Sequence, residues 1–219
     1  MVKNAIKREN LLGEPKEEKL SFFDVILIVV IALLVLNVFV QTMWLSPVEV
    51  SGTSMEKTLN HEDWLLIDKF KTLKRGEVVV FKANATENYI KRIIAMEGDE
   101  LYSEKGVIYL KVKGTDTFLP LEEDYAYYDE KYIRGTYLNH VDNKYGDIPH
   151  TIIEQGKMFV LGDNRWGSKD SRHIGQVDVS SVIGVVPKWA IDNRKSYAWY
   201  YEFIEKVNLW MEKTFKGSK

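Results

Sequence analysis

An uncharged apolar run near the N-terminus constrains this chain more than any other feature. Residues 25–48 contain no Asp, Glu, Lys or Arg, and about 20 helical residues are enough to cross a hydrocarbon layer roughly 30 Å thick. A cleaved signal peptide is the alternative, but its apolar part usually spans about 7–15 residues, and no small-residue cleavage site follows this run. We therefore expect a retained transmembrane anchor over residues 22–46, which Ser46 and Pro47 end because proline lacks an N–H donor.

The basic residues around this run predict its orientation. Five Lys or Arg residues precede the run, and none lies between it and Lys57. The flank that is richer in Lys and Arg normally stays in the cytoplasm. We therefore expect residues 1–21 to form the cytoplasmic tail of a single-pass cell-membrane protein whose remaining chain is extracytoplasmic.

Composition excludes several classes of protein. A length of 219 residues suits one moderate domain behind an anchor. The formal net charge of −2 offers no basic surface of the kind that binds nucleic acid. The chain has no cysteine, and its four histidines are scattered without metal-ligand spacing. We therefore expect no disulfide, no metal site and no nucleic-acid partner.

Short β-branched and aromatic runs beyond the anchor predict a mostly β domain over residues 47–190. Strands are expected at 64–67, 77–81, 89–94, 157–161 and 182–186, with a hairpin at 101–110. Residues 113–150 show little periodicity, so an irregular insertion is expected at about 103–156. The tail at 191–219 has apolar residues at helical spacing, which predicts an amphipathic helix that either docks on the domain or lies in the membrane interface.

One serine shortly beyond the anchor is a candidate nucleophile. Ser54 lies in the stretch V-S-G-T-S-M-E-K-T-L, and a serine hydroxyl needs a base and oxyanion donors before it can attack a carbonyl. Lys57 would give the Ser-x-x-Lys pattern of penicillin-binding proteins, but their Lys-Thr-Gly element is missing. Lys91, in Y-I-K-R-I-I, would be a base if apolar neighbours lowered its pKa, or a plain solvated lysine if they did not. The local patterns leave both lysines open.

Four ordered motifs resemble those of type I signal peptidases, in particular the single-anchor form of Gram-positive bacteria. They are S-M with T-L at 54–59, R-G-E-V-V-V-F at 75–81, K-R-I-I with G-D at 91–99, and G-D-N-R-W-G-S-K-D-S-R-H-I-G at 162–175. The resemblance implies a membrane-bound serine endopeptidase that cleaves N-terminal signal peptides from exported preproteins through an acyl-enzyme, without a cofactor. It also implies a curled antiparallel sheet with a smaller irregular β insertion. The implied partners are signal peptides, the lipid bilayer and the secretion translocon.

The resemblance also implies roles for individual residues. Ser54 is the expected nucleophile, Lys91 its general base, and Ser168 the hydroxyl that orients the lysine amine. Gly52 takes a position where some relatives carry a hydroxyl of the oxyanion hole, so here the backbone N–H of Ser54 is the expected donor. The other supporting residues are Asp163, Asn164 and Arg165, with Asp170 and Arg172 as an ion pair near the site. Met55, Tyr89 and Ile90 are the expected substrate-binding residues, in pockets that admit small side chains.

Two residues depart from the pattern of this family. Lys57 and Glu97 stand where the family usually has proline, and we expect a looser backbone around Ser54 as a result.

Two rival functions are possible for such a chain. One rival is a non-catalytic assembly factor or chaperone on the same scaffold, for instance in surface-fibre biogenesis. Retention of both Ser54 and Lys91 argues against it. The other is a self-cleaving regulator of the LexA type, which would need a DNA-binding helix pair where this chain has an anchor.

Overall fold

An apolar helix precedes the folded domain. The computed structural model describes residues 20–128, 147–195, 199, 201–203, 206, 207, 209, 210 and 213. Helix α1 runs over Phe22–Met43 and is long and apolar enough to cross a membrane. It ends three residues before the predicted boundary, because Pro47 already belongs to the first strand. Proline is tolerated there since that strand lies at an edge of its sheet, where one N–H is not needed for pairing.

Eleven strands form two antiparallel sheets in the described part of the chain. They are β1 Leu45–Glu49, β2 Trp64–Asp68, β3 Val78–Lys82, β4 Asn88–Met96, β5 Glu100–Glu104, β6 Val107–Lys111, β7 Leu119–Pro120, β8 Thr151–Ile152, β9 Lys157–Leu161, β10 Val177–Asp178 and β11 Val182–Val186. The larger sheet has the order β1-β2-β11-β3-β4-β9-β10, and the smaller has the order β7-β6-β5-β8. Two short helices, α2 at Ser171–Ile174 and α3 at Lys188–Asp192, flank the last strands. The prediction of a mostly β, antiparallel fold is confirmed.

The larger sheet is bent by two irregularities in pairing. One lies between Ile93 and Ala95 of β4, and the other lies between Val182 and Gly184 of β11. Such bulges bend a strand and increase its twist, which curls the sheet. Hydrophobic clusters pack against this sheet, and β4 is buried throughout the segment 91–95.

The insertion is more ordered than its sequence pattern indicates. Its sheet begins at Glu100, three residues before the predicted start, and the expected hairpin β5–β6 turns through Lys105 and Gly106, both with positive φ. Its other two strands, β7 and β8, have only two residues each. Strands that short leave no periodicity to detect, so the sequence pattern missed them. Residues 129–146 of the predicted insertion lie outside the described residues.

The start of the C-terminal tail is attached to the larger sheet. Helix α3 crosses the expected boundary at residue 190. Arg194 forms an ion pair with Asp63, with 3.0 Å between Nε and the carboxylate. Further along, Tyr201 stacks on Trp64 with ring centroids 4.7 Å apart. The described residues from 199 onward are helical, as the apolar spacing predicts.

Candidate active site

The structure brings Ser54 and Lys91 together from 37 residues apart. Lys91, on β4, donates a hydrogen bond of 2.7 Å from Nζ to the Ser54 Oγ and another of 2.8 Å to the carbonyl of Ile90. Its side chain is buried, with 4% of the residue exposed. Lys57, the other candidate base, is exposed and places its Nζ 4.2 Å from the ring centroid of Tyr127. The serine is therefore hydrogen-bonded to the strand lysine rather than to the lysine of the Ser-x-x-Lys pattern.

The surroundings of Lys91 lower the pKa of its amine. Burial lowers the pKa of the amine to about 8, because the charged form loses its hydration. The carboxylates of Asp170 and Asp163 act in the opposite direction, and the guanidinium of Arg172 adds to the lowering. An amine with a pKa near 8 has a neutral fraction of roughly one tenth at pH 7, far above that of an ordinary lysine, and this fraction can accept a proton from a serine hydroxyl.

The turn that carries Ser54 is held from both sides. Its backbone carbonyl accepts a hydrogen bond of 3.0 Å from the Asn164 N–H, and the Asn164 side chain donates to the carbonyl of Thr53 at 3.1 Å. On the inner side, Met55 and Leu59 are fully buried in the hydrophobic cluster below β2. These contacts fix the position of the hydroxyl, which a nucleophile requires for attack in a defined geometry.

Asp163 links the serine turn to the strand of the lysine. Its carboxylate receives two hydrogen bonds from the Arg92 guanidinium, at 2.9 and 2.6 Å, and a third from the Thr58 hydroxyl. Arg92 also contacts the ring of Tyr125, whose centroid lies 4.0 Å from the guanidinium carbon. Bidentate pairs of this kind are geometrically specific, so they position Arg92 and the neighbouring Lys91 together.

Asp170 and Arg172 form the expected ion pair, and both side chains are buried. Two guanidinium nitrogens of Arg172 each lie 2.8 Å from the Asp170 carboxylate, which also accepts from the Gly162 N–H at 3.0 Å. Arg172 also donates to the carbonyl of Arg165 at 2.7 Å. Arg165 itself is paired with Glu123 through two hydrogen bonds, one of 2.9 Å. Each buried charge of the motif at 162–175 therefore has an ionic partner.

Ser168 is close to the site but does not make its expected hydrogen bond. Its Oγ is buried and has no well-aligned hydrogen-bond partner in the described part of the chain. The Lys91 amine donates instead to Ser54 and to Ile90. Ser168 packs against Gly162, where an added Cβ would lie 2.2 Å from its Oγ and 2.5 Å from the Ser54 carbonyl oxygen.

An open cleft of about 450 Å³ lies beside the Ser54 hydroxyl and the Lys91 amine. Residues from the serine turn, β1, β3 and β4 line it, among them the expected residues Gly52, Tyr89 and Ile90. Met55 is not among the lining residues, because its side chain points into the core and is 1% exposed. The cleft offers both polar groups and apolar walls to an extended peptide.

Three residues at the site were not predicted from the sequence. Glu123 pairs with Arg165, Tyr125 covers Arg92, and Tyr127 exchanges backbone hydrogen bonds of 2.7 Å with Asp163 and Arg165. They lie in the segment for which the sequence predicts only an irregular insertion. Alternation of Glu, Tyr and Tyr at positions 123, 125 and 127 was the available signal, since side chains two apart share one face of an extended chain.

Lys57 and Glu97, which stand where the family usually has proline, have different structural surroundings. Glu97 accepts a hydrogen bond of 2.9 Å from the Gly156 N–H, so its turn is tied to the loop before β9. Lys57 has φ of 73°, which proline cannot adopt because its ring fixes φ near −65°. The backbone at residue 57 therefore has a conformation that excludes the family's usual residue.

A serine hydrogen-bonded to a buried lysine beside an open cleft is the arrangement of a serine hydrolase that uses an amine as its base. Comparisons with known proteins agree with this class. The sequence profile of the family described as "Signal peptidase, peptidase S26" matches residues 22–189. The chain therefore belongs to the S26 signal peptidase family, whose members are serine endopeptidases.

Two relatives found by sequence comparison are consistent with that membership. Signal peptidase IB of Staphylococcus aureus is 32% identical over 180 residues, which cover 78% of this chain and 88% of the relative. Signal peptidase I of Bacillus caldolyticus is 33% identical over 146 residues, which cover 63% and 74%. A crystal structure of a signal peptidase I from Enterococcus faecalis V583 is 26% identical, covers 53% of this chain and 98% of its own, and superimposes with a TM-score of 0.40. Membership of a peptidase family disfavours the assembly-factor and LexA-type rivals.

Proposed function

We propose that this signal peptidase cleaves signal peptides from exported preproteins outside the cytoplasm, with Ser54 as nucleophile and Lys91 as general base. The observation that carries the proposal is the 2.7 Å hydrogen bond between the Lys91 amine and the Ser54 hydroxyl. The lowered pKa of the buried amine supports the role of base. Family membership supports the proposed reaction, and the geometry supports the proposed roles of Ser54 and Lys91.

The reaction then proceeds in two halves. The Ser54 Oγ attacks the scissile carbonyl carbon while its proton passes to the Lys91 Nζ, and the Ser54 N–H donates to the developing oxyanion. The intermediate collapses when Lys91 returns the proton to the leaving amine, which frees the mature protein and leaves the signal peptide esterified to Ser54. A water molecule, deprotonated by Lys91, hydrolyses this ester and restores the enzyme.

The supporting residues act through positioning and charge. Asp163, Asn164 and Thr58 hold the serine turn, whereas Asp170 and Arg172 place a neutralised pair beside the amine. Ser168 is proposed to orient the amine, since its buried hydroxyl lies close to the site and has no well-aligned hydrogen-bond partner among the described residues. Tyr89 and Ile90 line the cleft beside the dyad and are proposed to bind the residues before the cut.

The proposed location follows from the anchor. Helix α1 would cross the membrane once, with the basic N-terminal flank in the cytoplasm and the cleft on the outer side. Signal peptides and the bilayer are the partners that this arrangement requires. The secretion translocon stays a prediction from the resemblance.

Cleavage of a preprotein by single variants of the full chain tests the mechanism. Ser54→Ala and Lys91→Ala should each abolish cleavage in detergent micelles, since each removes one half of the dyad. Lys57→Ala, and Lys82→Ala at the exposed end of β3, are the matched controls and should retain most of it. Cleavage by Lys91→Ala, or its loss only in Lys57→Ala, would refute the proposed base.

A further inference from the structure

The helical tail has aromatic side chains on two opposite sides. Successive residues of a helix are about 100° apart around its axis, so Trp199, Phe203 and Trp210 fall within about 40° of one another. Tyr201 lies on the other side of the helix and stacks on Trp64 of the larger sheet. One side of the tail is therefore docked on the domain while the other faces away from it.

The outward side is strongly apolar and exposed. Trp199, Phe203 and Trp210 are 71%, 53% and 63% exposed, and the first two rings stack with centroids 6.2 Å apart. Lys206 and Lys213 are exposed beside them. Aromatic rings bordered by lysines are the composition of helices that lie in the headgroup region of a membrane. Three large rings presented together to water would otherwise be an aggregation hazard.

Only a few residues of chain separate the sheet position on which the tail docks from the end of the apolar helix. Trp64 pairs in register with Glu49, which follows the last residue of α1, Met43, by six residues. Extended chain rises about 3.4 Å per residue, so at most about 20 Å of β1 separates the docked tail from the point where the chain leaves the span. The match to the family covers residues 22–189 and does not reach the tail.

We propose that the outward face of the tail, made by Trp199, Phe203 and Trp210, lies in the outer membrane interface as a second attachment to the bilayer. The occupant is lipid, with the rings at the level of the headgroups and the lysines near lipid phosphates. The tail then holds the domain against the membrane through Tyr201 and Trp64, which restricts the cleft to substrates that emerge at the surface. This inference rests on the proposed membrane anchoring by α1.

Depth-dependent quenching in the full chain tests the proposal. The chain has no cysteine, so one introduced cysteine can carry an environment-sensitive fluorophore without background. Phe203→Cys reports the tail, Val107→Cys reports the exposed β5–β6 hairpin, and Leu34→Cys reports the apolar helix. The labelled proteins are placed singly in nanodiscs of phosphatidylcholine and phosphatidylglycerol that contain spin-labelled lipid.

The expected result is strong quenching at residues 34 and 203 and little at residue 107. Quenching at 203 no greater than at 107, with 34 quenched, overturns the tail proposal and leaves the anchor intact. No quenching at 34 shows instead that the anchor itself is wrong. A blue shift at 203 that appears only when two copies share a disc, without lipid quenching, assigns the face to protein contact and also overturns the proposal.

A second measurement connects the tail to activity. The triple variant Trp199→Ser, Phe203→Ser and Trp210→Ser should cleave a short soluble peptide like the wild type, because none of the three residues lies at the cleft. It should cleave a membrane-embedded preprotein several-fold more slowly. Equal loss on both substrates would indicate damage to the fold and count against the proposal, as would equal activity of variant and wild type on the preprotein.

Discussion

At the scale of single residues, the pKa of one amine controls the proposed chemistry. Burial lowers the pKa of Lys91 by more than the attraction of Asp170 and Asp163 for its charged form raises it. Asp163 is itself neutralised by Arg92, whose guanidinium is covered by the ring of Tyr125. We therefore expect Tyr125, a residue of the insertion, to act indirectly on the proposed base Lys91, through the neighbouring Arg92.

Tyr125→Leu should shift the pH dependence of cleavage upward. Loss of the ring lets water reach Arg92 and loosens its pair with Asp163, and both changes favour the protonated Lys91. An exposed or half-buried cation–π contact is worth about 0.5–1 kcal/mol, which corresponds to roughly half a pH unit. The acidic limb of kcat/KM, expected near pH 8 in the wild type from the pKa of about 8, should move to higher pH by that amount.

Two variants control for a merely structural effect of Tyr125. Tyr125→Phe keeps the ring and loses only the hydroxyl that donates to Glu123 at 3.1 Å, so it should keep the wild-type limb. Tyr109→Leu removes a ring of the same insertion that stacks on Tyr102, away from the dyad, and should lower stability without moving the limb. If Tyr125→Leu and Tyr109→Leu gave the same pH profile, Tyr125 would have no role in positioning.

Among the elements, the turn after β9 approaches the serine turn too closely for a side chain. The contact between Gly162 and the Ser54 carbonyl involves backbone on both sides, so rotation of a side chain cannot relieve it. Gly162→Ala should therefore displace the Ser54 turn and reduce kcat/KM by at least about 100-fold, since small misplacements of a nucleophile are costly. Overpacking should also lower the free energy of unfolding by about 1–3 kcal/mol.

Gly114→Ala is the control that separates a loss of stability from a loss of activity. Gly114 has φ of 86° with open space around it, so alanine there introduces backbone strain but no clash. The variant should lose about 1 kcal/mol of stability and keep its kcat/KM. Wild-type kinetics for Gly162→Ala would mean that the two turns can separate without harm to the site.

The backbone conformation of Lys57, in the turn that carries Ser54, leads to a second prediction. Lys57→Pro should destabilise the protein and lower kcat/KM, because φ of 73° is inaccessible to proline. Lys57→Gly should remove strain of about 1 kcal/mol and keep activity. Both are measured by denaturant unfolding and preprotein cleavage. A stable, active Lys57→Pro variant would show that the turn can adopt another conformation, and an inactive Lys57→Gly variant would implicate the Lys57 amine itself.

Sequence patterns predicted the long elements and missed the short ones. Apolar runs such as 78–82 and 157–161 specify buried strands by composition alone. Strand β1 was missed because Pro47 and its position next to the anchor obscure its pattern. The two-residue strands β7 and β8 exist only through pairing with their neighbours, which local sequence does not encode.

The pairing of Ser54 with Lys91 could not be predicted from local sequence patterns alone. Nothing near Lys91 distinguishes a buried lysine from a solvated one, since burial depends on the covering contributed by distant segments. The resemblance identified the pair, and the structure supplies the contact between them. The roles of Glu123 and Tyr125 arise from long-range pairing with Arg165 and Arg92, so their alternation in the sequence indicates a shared face but not these partners.

At the scale of the whole molecule, the buried amine has a cost for stability. The pKa of Lys91 is about 8 in the folded protein and about 10.5 in an unfolded chain. Between these values the unfolded state binds more protons than the folded state, so the stability of the wild type rises with pH in this window. Below pH 8 the folded protein must bury a charged amine, and the full cost applies.

Lys91→Met should reveal this cost as a pH-dependent difference in unfolding free energy. Relative to the variant, the wild type should gain about 2 kcal/mol between pH 7 and pH 10, measured by denaturant unfolding of the full chain in detergent. Taking the difference cancels groups that both proteins share. Lys82→Met, at the exposed end of β3, is the control, and its difference from the wild type should change far less over the same range. A constant difference for Lys91→Met would mean that the folded protein keeps the amine hydrated and charged, which would also remove the physical basis for its role as a base.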